Sequence, residues 1–338
     1  MAKVKIQGHA SGSGVITVTA PNTSTDRTIT LPDATGPLLT SADVPIQTSA
    51  TSNIGLGANA VDSITTGDYN VGIGDDALTA NTEGSWNTGI GTGSLIANTT
   101  GTLNTSVGRW SLYTNVTGSS NTAIGNNALK TSTVSNNTAV GYNAMKLTTT
   151  GADNVAVGVS SLTANTTGAE NVSVGANSLE TNTTGASNVA MGWKALASNT
   201  TAGSNTGLGN EALRLNITGA NNTAVGARSL YVNTTGSGNT SIGYNALRTN
   251  TTGAANVSSG ENSMYANTTG ANNIAIGHSS LESNTTASNN TAVGKSALAA
   301  NTTGGENTAV GTNANKSNTD ASNNTSYGYN AMALTTTG

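Results

Sequence analysis

A 17-residue phrase repeats along most of the chain and constrains its fold more than any other feature. Residues 154–170 read NVAVGVSSLTANTTGAE, and the next two units read NVSVGANSLETNTTGAS and NVAMGWKALASNTTAGS. Aligned on the first Asn, 17 such units occupy the chain from Asn53 onward. A fixed period of this size is the signature of a solenoid, in which each unit packs on its neighbours.

The spacing of the units shows which half of the repeat is a turn. The units start 17 residues apart at every step but one, where Asn137 follows Asn121 after 16 residues. The missing residue falls in KTSTVSN, the half of the unit rich in turn-forming residues. Turns accept a deletion, whereas a one-residue slip in a paired strand moves every later side chain to the other face. The columns can therefore be numbered 1 to 17 from the first Asn.

The columns predict two short strands and a turn in each unit. Position 2 is Thr, Val or Ile, position 3 is Gly, Ala or Ser, and position 4 is apolar except at Ser259. Position 5 is always Gly, as at Gly158, Gly175 and Gly192, which predicts that the first strand ends in a bend. A small residue at position 8 followed by an apolar one at position 9 predicts a second strand over positions 8–10. The NTTG at positions 12–15 predicts the turn, and the many Gly, Thr and Asn residues disfavour a helix.

The charged residues mark the outer surface of the array. Of its 22 charged residues, 20 occupy positions 6, 7, 10, 11, 16 or 17, and none occupies positions 2, 3, 4, 8 or 9. We therefore expect those five columns to form a thin core. The predicted fold is all-β, a parallel β-solenoid or β-roll of 17 repeats. Because the core is slim and the small residues at positions 3 and 8 allow close approach of backbones, we predict a homotrimeric fibre.

The N-terminal segment differs in composition from the array. All four Pro residues lie within the first 45 residues, where GVITVTAP and RTITLPD predict two short strands. The predicted domains are a small β region at 1–52 and the repetitive shaft at 53–338. The N-terminus lacks the apolar stretch of a secretion signal, and no run of 18 apolar residues occurs. We therefore expect no membrane insertion.

Composition argues against several classes of function. Charged residues make up 8% of the chain and the net charge is −4, which offers no cluster of Lys and Arg for nucleic acid. Cys is absent, which removes thiolate metal ligands and thiol nucleophiles. With His9 and His278 as its only histidines, the chain offers no nucleophile–base–acid set, so we expect no catalytic residue, cofactor or metal. We interpret four acidic residues as solvated loop residues rather than a cation site: Asp62, Asp68, Asp75 and Asp76.

Outward aromatic residues are the candidates for binding. Aromatic rings can stack on the sugars of a surface glycan, but they can equally pack on their own coil or on a neighbouring chain. The NTT triplets match a glycosylation sequon, although Asn and Thr ladders in turns explain them more simply. A flat ice-binding face is disfavoured because adjacent Thr at positions 13 and 14 point to opposite sides. The candidate residues for glycan or receptor contact are Trp110, Tyr113, Tyr231, Tyr244 and Tyr265.

The repeat strings NTAVGYNAL and NVAVG resemble two known groups, the β-roll heads of trimeric autotransporter adhesins and the shafts of bacteriophage tail fibres. The strings TAPNT and RTITLPD look like the N-terminal region of phage tail fibres, where that end attaches to the virion. An adhesin would need a signal peptide and a C-terminal membrane anchor, and this sequence shows neither. The tail-fibre resemblance is therefore the favoured one.

The tail-fibre resemblance implies a structural role rather than an enzyme. The chain would be a rigid spacer in host-cell attachment, bound to a tail or baseplate protein through 1–52. It would be made in the host cytoplasm and lie on the virion, extracellular after release. The sequence stops inside a repeat. We therefore expect a host glycan or protein to be contacted either by the shaft itself or by a distal partner. The alternative is a bacterial surface adhesin or extracellular filament subunit.

Overall fold

A short antiparallel hairpin precedes the repeats. The computed structural model describes the backbone of Lys3–Gln7 and Val15–Thr19 and all of residues 52–336. The chain divides into two units, Met1–Thr40 and Ser41–Gly338. In the first unit, strand β1 (Lys3–Gln7) pairs antiparallel with β2 (Val15–Thr19). Strand β2 matches the strand predicted in GVITVTAP, β1 was not predicted, and the strand predicted in RTITLPD lies outside the described residues.

The second unit contains one three-residue strand in every repeat, always at positions 2 to 4. Thr, Val and Ile at position 2 and apolar residues at position 4 favour extended backbone, and the Gly at position 5 follows the strand. The strands are β3 Ile54–Leu56, β4 Val71–Ile73, β5 Thr88–Ile90, β6 Thr105–Val107, β7 Thr122–Ile124, β8 Thr138–Val140, β9 Val155–Val157, β10 Val172–Val174, β11 Val189–Met191, β12 Thr206–Leu208, β13 Thr223–Val225, β14 Thr240–Ile242, β15 Val257–Ser259, β16 Ile274–Ile276, β17 Thr291–Val293, β18 Thr308–Val310 and β19 Thr325–Tyr327.

The strands stack in chain order as a parallel sheet, so each repeat is one coil of a β-solenoid. Every strand pairs with the next at equivalent positions, as Val155 with Val172 and Val172 with Val189. The 16-residue step keeps this register, with Thr122 opposite Thr138. The predicted parallel solenoid is thus confirmed, and the deleted residue is absorbed outside the strand. At a strand spacing of ~4.8 Å, 17 coils make a stack roughly 80 Å long.

The second predicted strand, at positions 8–10, is wrong. Those residues form turns, and position 9 adopts left-handed backbone, as at Leu162 with φ of 51°. Positions 7 and 17 are left-handed too, for example Ser160 and Glu170. The hydrogen bonds between coils nevertheless continue, since the Leu162 N–H donates to the Ser178 carbonyl at 2.9 Å. A coil of 17 residues must turn sharply to close, and left-handed residues provide the corners at a cost of about 1–2 kcal/mol each.

The core is one large side chain thick. Position 9 supplies a column of Leu and Met, and positions 3 and 8 line it with Ala, Ser and Gly. Ser161 in this lining satisfies its hydroxyl internally by donating to Ser173 Oγ at 2.7 Å. From Leu78 to Leu298 the column is completely buried, a gain of about 1.5–3 kcal/mol for each side chain: Leu78, Leu95, Leu112, Leu129, Met145, Leu162, Leu179, Leu196, Leu213, Leu230, Leu247, Met264, Leu281 and Leu298.

Positions 2 and 4, predicted to belong to the core, instead face outward. Side chains alternate along a strand, so only position 3 of each three-residue strand can point inward. There the space left by the Leu column admits only a small side chain. Ile124, Met191 and Ile276 at position 4 keep 40%, 45% and 43% of their surface exposed. We call the outward residues of position 4 the apolar stripe, which runs along one side of the solenoid beside the Thr, Val and Ile of position 2.

Two columns of buried Asn tie the coils together. At position 1 the backbone N–H of each Asn donates to the side-chain Oδ1 of the preceding one, as from Asn154 to Asn137 at 2.9 Å. The position 12 Asn forms a second ladder, as from Asn182 to Asn165 at 3.1 Å. Both ladders also donate to the position 15 carbonyl of their own coil, and Asn154 and Asn165 both bond to the Gly168 carbonyl. The position 1 ladder joins all 17 coils without a gap.

The position 5 glycines allow the coils to approach closely at the bend. Gly158, Gly175 and Gly192 have φ of 135°, 134° and 136°. A Cβ added to Gly158 would lie 2.6 Å from the Gly175 carbonyl oxygen of the next coil. Both the backbone conformation and the contact therefore require Gly.

Candidate functional site

The Lys and Arg residues of the array share one side of the solenoid. The outward positions 6, 7 and 10 follow the strand, and we call the surface they form the aromatic–cation face. Positions 14, 16 and 17 carry six acidic residues and no cation. All nine Lys and Arg residues after residue 52 lie on the aromatic–cation face: Arg109, Lys130, Lys146, Lys194, Arg214, Arg228, Arg248, Lys295 and Lys316.

The five predicted contact residues all lie on this face, in two groups. Trp110 occupies position 7 and Tyr113 position 10 of one coil. Tyr231 and Tyr265 occupy position 10, and Tyr244 position 6, of three successive coils further along. The structure brings together Trp110 with Tyr113, and Tyr231 with Tyr265 through Arg248, while the two groups are separated along the axis.

The first group is a cluster of two rings and two cations, the Trp110 cluster. The Arg109 guanidinium lies 3.5 Å from the centre of the Trp110 ring, and Lys130 Nζ lies 4.8 Å from it. Lys130 also lies 5.8 Å from the Tyr113 ring, which meets Trp110 edge-on at 6.4 Å. Gly93 of the preceding coil makes room, because a Cβ there would lie 2.9 Å from Trp110 Cδ1. These distances are within the range of cation–π attraction.

Tyr231 and Tyr265 of the second group belong to an alternating column at position 10 of four successive coils, the Tyr231 cluster: Arg214, Tyr231, Arg248 and Tyr265. Arg214 Nη1 donates to the Tyr231 hydroxyl at 2.9 Å, and Arg248 Nη1 to the Tyr265 hydroxyl at 2.7 Å. The Arg248 guanidinium lies 5.6 Å from the Tyr231 ring and 5.5 Å from the Tyr265 ring. Each cation is thus held between or beside aromatic rings one coil apart.

A buried carboxylate anchors one end of the Tyr231 cluster. The Glu211 side chain is only 5% exposed, accepts a hydrogen bond from Arg228 Nε at 2.9 Å, and forms an ion pair with Arg214. Burial tends to raise the pKa of Glu211, but the hydrogen bond from Arg228 and the charge of Arg214 outweigh it and lower the pKa below its usual value. Glu211 therefore stays ionised and fixes two guanidinium groups on the face.

Sequence reasoning found the rings of these clusters but missed their cations. The signal was present, because Arg214, Tyr231, Arg248 and Tyr265 are spaced 17 residues apart and must share a column. Because each repeat is one coil, residues at the same position of successive repeats lie next to each other in space. The aromatic pair Tyr69 and Trp86 shows the same rule at position 17, where the rings stack at 5.9 Å.

The acidic residues and histidines considered from the sequence form no site in the described part of the chain. The Asp75 carboxylate accepts from the Ala58 N–H at 3.1 Å, and Asp76 accepts from the Asn59 side chain at 2.9 Å. No group of three potential metal ligands occurs among the described residues. His278 lies at outward position 6, and His9 lies outside the described residues.

The Thr residues of the NTT triplets bond along the axis. At position 13 the hydroxyl donates to the carbonyl of the next position 13, as from Thr166 to Thr183 at 3.0 Å. These contacts form the turn ladder that the sequence suggested. In the described part of the chain, no helix has the length and apolar character needed to span a membrane.

No protein family matches the chain, and a comparison with curated proteins found no match.

Proposed function

We propose that this chain is the shaft of a bacteriophage tail fibre, a rigid spacer that takes part in attachment to the host cell. The observation that supports this most is the unbroken stack of coils joined by backbone hydrogen bonds and by the position 1 Asn ladder. Bending such a stack would break buried hydrogen bonds, each of which costs about 1–3 kcal/mol to leave unmade. A stack of this kind sets a length and resists bending.

The apolar stripe supports a homotrimer. It follows the solenoid for roughly 80 Å, with partly exposed Ile, Val, Leu and Met side chains on successive coils. A contiguous exposed apolar surface marks a site of protein–protein interaction. A second copy of the chain carries a stripe with the same period of ~4.8 Å, so identical stripes can pack in register. Three copies can bury their stripes around one axis, as the resemblance to trimeric fibres implies.

Other parts of the proposal follow from the resemblance. Residues 1–52 attach the fibre to a tail or baseplate protein, and a distal partner or the shaft meets a host surface glycan or protein. The protein is made in the host cytoplasm and is located on the virion.

Electron microscopy with a gold-labelled antibody against the purified chain tests this location. Labelled fibres on phage particles from a lysate support the proposal. Label on the envelope of intact cells, with unlabelled particles, would overturn it in favour of a bacterial adhesin or filament subunit.

Light scattering in native buffer tests the trimer. The expected mass is about three times the chain mass of 33.3 kDa. Met191→Lys places a charge in the apolar stripe and should lower the mass, whereas Thr184→Lys on the position 14 surface should not. A wild-type monomer would contradict the trimer.

A further inference from the structure

We propose that the aromatic–cation face between Arg109 and Tyr265 binds an acidic polysaccharide that lies along the solenoid. The inference deepens the proposed contact with a host glycan but does not rest on the spacer function, since a solenoid that bound nothing would still set a length. It assigns a ligand class to a surface of the shaft itself.

The charge of this stretch is opposite to that of the whole chain. Between Arg109 and Tyr265 the face carries seven cations against three acids, while the net charge of the chain is −4. One of the three acids, Glu211, is buried between two Arg side chains. The positions 14, 16 and 17 of the same coils carry only Asp153 and Glu170. A polyanion is therefore attracted to one side of the solenoid and repelled from the other.

The same stretch carries most of the aromatic residues. Seven of the eleven Trp and Tyr residues lie on this face between Arg109 and Tyr265. Tyr142, Trp193 and Tyr244, at position 6, are 53%, 45% and 49% exposed. Lys194 Nζ lies 4.6 Å from the Trp193 ring, so this ring too is paired with a cation. Rings offer an apolar surface on which a sugar can stack, and the neighbouring cations can pair with its carboxylate.

The guanidinium group of Arg248 lies 5.6 Å from the Tyr231 ring and 5.5 Å from the Tyr265 ring, and its Nη1 donates to the Tyr265 hydroxyl. The group is held between two rings rather than by an acid, so a ligand carboxylate does not have to displace an ion pair at this position.

The shape and charge density favour a polysaccharide over the other polyanions. The stretch covers nine steps of the coil, a length of ~43 Å, so it suits an extended polymer rather than a small molecule. Single-stranded nucleic acid carries a phosphate on every nucleotide and is bound through clustered cations. Here the cations are spread over the coils and alternate with rings, which matches a chain of sugars with intermittent or singly charged carboxylates.

Calorimetric titration of the full-length protein with three probes tests the proposal. The first probe is an oligogalacturonate of ten sugars, the second is the same oligomer as its neutral methyl ester, and the third is a single-stranded oligo-dT. We expect the acidic oligomer to bind and to weaken as salt is raised, because added ions screen surface charges. Equal binding of the methyl ester, stronger binding of oligo-dT, or no binding of the acidic oligomer would overturn the proposal.

Substitutions locate the binding on the face. Arg248→Gln and Tyr231→Leu should each weaken the affinity about fivefold, the scale of one partly exposed cation–π contact. Lys316→Gln, also at position 10 but outside the stretch, should leave it unchanged, as should Trp86→Leu at position 17. Unchanged thermal unfolding of each variant verifies folding. If both controls weaken binding as much as Arg248→Gln does, the face is not the site.

Discussion

Two parts of the solenoid differ in the side-chain hydrogen bonds that join their coils at position 12. In the uninterrupted run, from Asn165 to Asn318, the position 12 Asn ladder continues through every coil at donor–acceptor distances of 2.7 to 3.1 Å. In the two interrupted coils, at 121–153, position 12 is Ser132 and then Thr148. There Ser132 Oγ and Thr148 Oγ1 are buried without hydrogen-bond partners, as is Oδ1 of Asn115 in the coil before them.

The strand half of the interrupted coils shows no such break. The Asn137 N–H still donates to Asn121 Oδ1 at 2.9 Å, and β7 still pairs with β8. One coil lacks a residue, yet its neighbours stay in register. The strand and the position 1 ladder therefore define the stack, whereas the turn half can lose a residue and the position 12 ladder.

We expect the largest effect from replacing the Gly at position 5, which tests whether both parts of the solenoid require Gly there equally. Gly192→Ala in the uninterrupted run and Gly125→Ala in an interrupted coil each place a Cβ 2.4 to 2.5 Å from the next glycine carbonyl, at φ above 130°. We expect each to lower the free energy of unfolding by more than about 3 kcal/mol. Urea denaturation measures both. A much milder effect at Gly125 would show that the interruption loosens the strand half too.

The next prediction contrasts the ladder with its gap. Asn233→Ala removes bonds to Asn216 and Asn250 and to the Gly236 carbonyl. It should cost about 2–4 kcal/mol because buried partners lose their bonds. Ser132→Ala removes a hydroxyl without a partner and should be neutral or stabilise by about 1 kcal/mol. Urea denaturation measures the free energy of unfolding of both variants. An equal loss of stability in the two would refute a distinct role for the position 12 ladder.

A third prediction concerns a polar residue in the core of the coil that begins at Asn307. Asn315 occupies position 9, is fully buried, and neither its Oδ1 nor its Nδ2 has a partner. Asn315→Leu restores the column and should stabilise the protein by about 1–3 kcal/mol. Leu298→Asn, one coil earlier, is the matched control and should destabilise it. Hydrogen exchange of the flanking amides measures both, and faster exchange in Asn315→Leu would contradict the prediction.

The smallest effect is a pH dependence confined to the uninterrupted run. Because the pKa of folded Glu211 lies below its usual 4.5, its ion pairs stabilise the fold above that pH. This contribution is lost as the pH falls through the lowered pKa. Glu211→Gln should therefore be less stable than the wild type at pH 7, and the difference should shrink as the pH falls below 4.5. Denaturation at pH 7 and at a series of acidic pH values measures the difference, and a pH-independent gap would mean that ionisation of Glu211 has no part in it.

The sequence predicted the coil but not the direction of its side chains. The period, the Gly at position 5 and the tolerant turn half were all visible in the columns. Positions 2 and 4 were misassigned because apolar residues were expected inside, whereas Leu at position 9 already fills the narrow interior. The left-handed backbone at Leu162 could not be predicted from the sequence, because this conformation is unfavourable for Leu and other residues with a Cβ. For the candidate site, the repeat positions predicted which rings share a face. Contacts between neighbouring coils, such as that of Arg248 with the Tyr231 ring, became visible only in the structure.

Each 17-residue repeat adds one coil of fixed height to the solenoid. Negative-stain electron microscopy of the wild type and of a variant lacking residues 154–255, six whole repeats, measures that height. We predict a rod shortened by ~29 Å, which is ~4.8 Å for each repeat removed. An unchanged length, or a shortening several times larger, would contradict the account.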